Sequence, residues 1–129
     1  MAKEKYIVEI DSYGTIRWFD FDNPNHCHRI NGPAIEYTNG DKSWHINGKC
    51  HRIDGPATED SNGDKEWWFN GKLHREDGPA IEHANDRYKE WWINGTKLTE
   101  SEFKAKMNPS SYEGKVVEID GKKYKLTEV

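Results

Sequence analysis

His51-Arg52-Ile53-Asp54-Gly55-Pro56-Ala57 is the middle one of three near-copies. His28-Arg29-Ile30-Asn31-Gly32-Pro33-Ala34 precedes it and His74-Arg75-Glu76-Asp77-Gly78-Pro79-Ala80 follows, at a constant period of 23 residues. A period in this range marks one supersecondary unit copied in series. Such a unit cannot bury its own apolar face and must stack on its neighbours. Repeated residues therefore serve the stack first, and they lend no support to a catalytic reading.

Each unit has a fixed order around that heptapeptide. Pro-Ala-x-Glu opens a strand, Asn-Gly-Asp turns it, and Lys-x-Trp-x-apolar forms the return strand. Asn-Gly-Lys turns again and leads into the next His-Arg. Asn39-Gly40, Asn62-Gly63, Asn47-Gly48, Asn70-Gly71 and Asn94-Gly95 are hairpin signals, because both residue types tolerate positive φ. Gly32, Gly55 and Gly78 precede proline, where the chain bends before extending, and proline suits the first residue of a strand. The expected product is an antiparallel meander with two short strands per repeat. Pro33 and Trp44 lie 11 residues apart, as do Pro56 and Trp67, whereas Pro79 and Trp91 lie 12 apart. The extra residue falls within His83–Tyr88 and predicts a longer turn or bulge. A contact loop is the alternative.

Strand alternation divides the aromatics between two faces. Trp18, Trp44, Trp67 and Trp91 share one face with Ile46, Phe69 and Ile93, and this is the expected core. Phe19, His45, Trp68 and Trp92 fall on the other face, flanked by Glu66 and Glu90. Aromatics on a non-core face mark a contact surface unless another segment covers them. These four are the candidate partner-binding residues, with the C-terminal segment as the alternative cover.

The reading divides the chain into a β-repeat region at 1–98, a helix at 99–107, and a linker with a terminal hairpin at 108–129. A degenerate half-repeat at 6–27 opens the first region, where Gly14 and Trp18 keep the glycine-to-tryptophan spacing of Gly40 and Trp44. Thr99-Glu100-Ser101-Glu102 fits a capping box, and Phe103 and Met107 stand four residues apart on the helix that follows. A helix there would cover the end of the stack. The hairpin at 116–126 carries an Asp120-Gly121 turn.

Hydrophobic residues make up 33% of the 129-residue chain and charged residues another 33%, a balance that drifts toward disorder. Six Trp, six Tyr and four Phe offset it, since large aromatics bury about 150–250 Å² each. A thin core with aromatic ribs is expected. The net charge of −4, with interspersed signs, provides no basic stripe for nucleic acid and no basic helix for a membrane surface. No apolar run follows Met1–Tyr6, so the cytoplasm is the expected compartment. Two cysteines, Cys27 and Cys50, make no disulfide framework and fit that compartment.

Asn-Gly-Lys-x-His, followed by a short strand, an Asn-Gly turn and an aromatic strand, resembles the MORN repeat. The likeness spans residues 13–104, and His-Arg-x-Asp-Gly-Pro-Ala stands where MORN units carry His-Gly and a second glycine. In that variant the chain is similar to a group of small proteins encoded by tailed bacteriophages. The resemblance implies an all-β fold: an antiparallel hairpin solenoid of MORN-like repeats, with a short C-terminal capping helix and a terminal hairpin. It also implies a scaffold or binding surface rather than an enzyme. By analogy, the partner would be a host protein, a defence component among the possibilities, that the chain inhibits or redirects. Exposed sheet edges would also permit a homo-oligomer.

Arg29, Arg52 and Arg75 form a column that could grip phosphate or carboxylate in bidentate fashion, while neighbouring acids compete for the same guanidinium groups. With tryptophan for base stacking, that column suggests a protein that sequesters a nucleotide or phosphate. A virion structural or assembly role is the third alternative. Cys27-His28 and Cys50-His51 suggest zinc ligands, but equivalent positions lie two strands, about 9–10 Å, apart, too far for one ion. No metal, cofactor or catalytic residue is therefore expected, and no phosphate loop, nucleophile elbow or zincin motif is present.

Overall fold

The computed structural model describes residues 5–107 and 116–125. The chain begins with the hairpin β1 (Tyr6–Ile10) and β2 (Ile16–Asp20). The first full copy supplies β3 (Ile35–Glu36), β4 (Lys42–Ser43), β5 (His45–Ile46) and β6 (Lys49–Cys50). The second supplies β7 (Thr58–Glu59), β8 (Lys65–Glu66), β9 (Trp68–Phe69) and β10 (Lys72–Leu73). The third gives β11 (Ile81–Glu82), β12 (Lys89–Ile93) and β13 (Thr96–Leu98). A helix, α1 (Glu100–Met107), and a hairpin, β14 (Val116–Ile119) with β15 (Lys122–Lys125), complete the described residues. An open antiparallel sheet of nine strands runs β1-β2-β3-β4-β7-β8-β11-β12-β13, while β5–β6, β9–β10 and β14–β15 form separate two-stranded ladders.

The meander therefore has four short strands in a full copy, not two. The return strand breaks at its tryptophan, because the two halves take different partners. Trp44 donates its N–H to the Ala57 carbonyl in the long sheet, at 2.7 Å, while its own carbonyl accepts the His51 N–H of the following hairpin, at 3.0 Å. Trp67 does the same with Ala80 and His74. The hairpins turn on Asn47-Gly48, Asn70-Gly71 and Asn94-Gly95, with φ near +50° at asparagine and +80° at glycine, the geometry of a type I′ turn.

Register explains the repeated alanine. Extending the ladder pairs Arg17↔Ile35, Ile35↔Ser43, Ser43↔Thr58, Thr58↔Glu66, Glu66↔Ile81 and Ile81↔Glu90 by one residue produces the row Trp18-Ala34-Trp44-Ala57-Trp67-Ala80-Trp91. Large and small side chains alternate, and Ala34, Ala57 and Ala80 are completely buried. Two residues along, the same face carries Glu36-Lys42-Glu59-Lys65-Glu82-Lys89, each directly opposite a charge of the other sign. Such cross-strand pairs contribute about 0.2–1 kcal/mol each. This row fixes register, since a slip by one residue would expose the alanines.

The core is thinner than the sequence reading expects. The indoles of Trp18, Trp44, Trp67 and Trp91 are half-buried, as is Ile46, while Ile93 and Phe103 are buried. Phe69 does not belong to the core, for it is 42% exposed. It lies on the β9–β10 hairpin, where its ring centroid stands 4.4 Å from that of His51 and 6.1 Å from that of His74.

At the C-terminal end, α1 packs on β12 and β13. Thr99 and Glu102 exchange the two hydrogen bonds of a capping box, at 3.0 and 3.1 Å. The linker from residue 108 lies outside the described residues until β14. The extra residue of the third copy is absorbed in the turn, where His83 N–H reaches the Tyr88 carbonyl while Asp86 takes φ +59°. In the first two copies the equivalent bond, Tyr37 to Asp41 and Asp60 to Asp64, spans one residue fewer.

Candidate functional site

The three arginines repeat one arrangement. The guanidinium carbons of Arg29, Arg52 and Arg75 stand 3.8, 3.9 and 3.8 Å from the ring centroids of Trp18, Trp44 and Trp67. Stacking of this kind contributes about 0.5–2 kcal/mol. Each Nη1 also donates to the carbonyl of Pro33, Pro56 or Pro79, at 3.2, 3.0 and 3.0 Å. Arg52 adds Glu59 and Asp54, and Arg75 adds Glu82 and Asp77. Arg29 reaches Glu36 at 3.9 Å. The proline-preceding glycines take part. A Cβ on Gly32, Gly55 or Gly78 would lie 2.8, 3.0 or 3.0 Å from the guanidinium carbon, so each arginine lies between an indole and a bare backbone. Space under the guanidinium, rather than positive φ, favours glycine here, since a Cβ would require the stacked arginine to shift.

The histidines tie one copy to the next. Nδ1 of His28, His51 and His74 accepts the N–H of Asn47, Asn70 and Asn94, each at 2.9 Å. A ring that accepts through Nδ1 is neutral and carries its proton on Nε2. On the opposite edge the turn aspartates do similar work, with Asp41 accepting from Ser61 N–H at 2.7 Å and Asp64 from Ala84 N–H at 2.9 Å. Those backbone donors hold both carboxyls below the ordinary aspartate value.

Between the His-Arg loops of successive copies the structure leaves two grooves. The larger, about 870 Å³, lies between the second and third loops over Trp67 and Phe69. The smaller, about 610 Å³, lies between the first and second loops over Trp44 and Ile46. They meet at Arg52, Ile53 and Asp54, which line both. Ile53 is 84% exposed, and Ile30 and Phe69 are also exposed, so apolar side chains stand in water around a floor held by hydrogen bonds. Sequence reasoning missed these groove residues. The signal available was the pair Ile30 and Ile53, apolar at a loop position where Glu76 stands in the third copy.

The candidate partner face is arranged differently. Phe19, His45, Trp68 and Trp92 occupy equivalent positions, but all four are half-buried. The indole N–H groups of Trp68 and Trp92 donate to Glu66 and Glu90 at 2.9 and 2.7 Å, and His45 Nε2 meets Ser43 at 3.0 Å. Glu90 also binds the Tyr88 hydroxyl and Lys97. Burial pushes the Cys50 thiol up to about 12 and raises Cys27, so neither is a thiolate at neutral pH. Among the described residues no group of three or more His, Cys, Asp or Glu side chains could hold a metal ion, and no helix is long and apolar enough to cross a membrane.

Burial depresses the basicity of His45 and His51. Their unfolded forms therefore take up protons first, near pH 6.5, and stability falls as pH drops from there toward their lowered folded values. The thermal midpoint is expected to decline between pH 7 and 5. It should decline again below about pH 4, as Asp41 and Asp64 lose the charge that holds the neighbouring turns. His45→Phe, which copies Phe19, should flatten part of the first decline in a pH series of melting curves. A midpoint unchanged between pH 7 and 5 would contradict the assignment.

Comparison with known protein families, with curated proteins and with solved structures found no match.

Proposed function

We propose that this chain is a non-catalytic protein-binding module, a solenoid of MORN-like hairpin repeats that acts in the cytoplasm on a protein partner. The observation that carries this reading is the pair of grooves. Exposed Ile30, Ile53 and Phe69 surround a floor whose arginines and indoles are already mutually satisfied. Exposed apolar side chains on a rigid platform are what a partner can bury at low entropic cost. The phage-like repeat variant supports a host protein as that partner, and inhibition or redirection as the action. The anion-sequestering alternative is weaker, since each guanidinium is committed to an indole, a proline carbonyl and a carboxylate. The half-buried Phe19, His45, Trp68 and Trp92 rank below the groove as a contact surface, the indole N–H groups of Trp68 and Trp92 being engaged by Glu66 and Glu90.

The test is capture of a bacterial protein on the tagged chain, identified by mass spectrometry. Ile53→Asp is expected to abolish retention. At so exposed a position it should change stability by no more than about 0.5 kcal/mol. Trp68→Ala with Trp92→Ala should leave retention intact wherever the protein remains folded. Loss of the partner by that double variant alone would move the site to the opposite face.

A further inference from the structure

Resting on the binding-module reading, we infer that the two grooves form one composite site for an extended, polyproline-like segment of a partner protein, with an apolar side chain and a basic side chain three positions apart. Equivalent positions of successive copies lie two strands apart, about 9.5 Å. A polyproline II helix has three residues per turn and rises about 9.3 Å over them, so every third side chain points the same way at that interval. A β-strand fails this test, because residues three apart point to opposite faces. Ile53, which lines both grooves, would stand between two such side chains.

The grooves then differ in what they accept. The smaller one is flanked by Ile30 and Ile53 and floored by Trp44 and Ile46, with Asp54 its one carboxylate. It fits an apolar side chain. In the larger one Ile53 and Glu76 stand where Ile30 and Ile53 stand in the smaller, and Asp54 and Asp77 where Asn31 and Asp54 do; Glu76 is 73% exposed and lies 3.5 Å from His74 Nε2. Its cations, Arg52 and Arg75, are paired with Glu59 and Glu82 and also with Asp54 and Asp77, at 3.3 and 2.8 Å, so Glu76 carries the excess negative charge of the groove lining. A lysine or arginine stem would lie along Ile53 and Phe69 and carry its charge to Glu76. Two neighbouring loop positions thus separate the grooves chemically: Ile30 and Ile53 give way to Glu76 in the third copy, and Asn31 of the first copy gives way to Asp54 and Asp77.

The test is titration of the full-length ¹⁵N-labelled protein with proline-rich peptides of one composition, in which Leu and Lys stand three or two positions apart, in both orders. One of the three-apart peptides is expected to shift the amide signals of Ile53, Phe69 and Glu76, and to bind at least about fivefold tighter than the two-apart peptides. Glu76→Lys should weaken it about tenfold, and Ile30→Ser should weaken it without changing its salt dependence. Equal binding of all spacings, binding at the Phe19–Trp92 face, or no binding overturns the inference. The module reading fails separately: its host partner would be absent from the lysate capture, or indifferent to Ile53→Asp.

Discussion

Ala57→Leu is expected to unfold the centre of the repeat region well below the melting temperature of the parent protein. Ala57 is completely buried and lies in register between Trp44 and Trp67. Its carbonyl receives the Trp44 N–H at 2.7 Å, and its own N–H reaches the Glu66 carbonyl at 2.7 Å, so the backbone has no room to retreat. Three added carbons must displace an indole, and the displaced indole takes its stacked arginine with it. Overpacking costs about 1–3 kcal/mol in ordinary cores. Here the upper end applies, because a thin core has few neighbours to share the shift. A fall in the melting midpoint of about 10 °C is expected. Ile53→Leu, four residues earlier but in solvent, should leave it within about 2 °C. Equal behaviour of the two variants would mean that the alternating Trp-Ala row does not set the packing.

That row shows what the sequence makes legible and what it hides. The Asn47-Gly48, Asn70-Gly71 and Asn94-Gly95 turns and the Thr99–Glu102 cap are local signals, and each appears in the structure where the residues placed it, whereas at Asn39-Gly40 and Asn62-Gly63 only the glycine takes positive φ. The shared row of Trp18, Trp44, Trp67 and Trp91 follows from strand alternation and agrees with the ladder register. The break at Trp44 and Trp67 does not follow from it, because alternation says which way a side chain points and nothing about which strand receives the backbone. Phe69 illustrates the limit. It has the same parity as Ile93, yet Ile93 lies on β12, which packs against the helix, while Phe69 lies on the separate β9–β10 hairpin beside His51. The grooves were hidden for a related reason. They arise from the gap between loops of successive copies, and only the tertiary stack creates that gap. The arginine column was legible as a pattern, but whether it faces a ligand or its own tryptophans depends on the missing side chain at Gly32, Gly55 and Gly78.

Trp67→Ala is expected to cost about 3 kcal/mol, the low end of the range for removing a buried tryptophan, because the indole is half-buried. The loss has two parts. Area over Ala57 and Ala80 returns to water, and Arg75 loses the ring that it stacks on at 3.8 Å. The second part is separable by a double-mutant cycle with Arg75→Ala, which should report a coupling of about 1 kcal/mol. Arg75→Lys should recover little of it, since a lysine ammonium cannot at once lie flat on the indole, reach the Pro79 carbonyl and meet Asp77 and Glu82. Additivity within about 0.3 kcal/mol would mean that the stack is geometry without energy. The coupling matters beyond stability. Trp67, Arg75 and Asp77 all line the larger groove, so the interactions that hold the repeats together also hold the floor of the proposed site in place. A variant that loosens the stack should therefore weaken binding even where Ile53, Phe69 and Glu76 are untouched. Arg75→Lys, measured for both melting midpoint and peptide affinity, is expected to lower the two together.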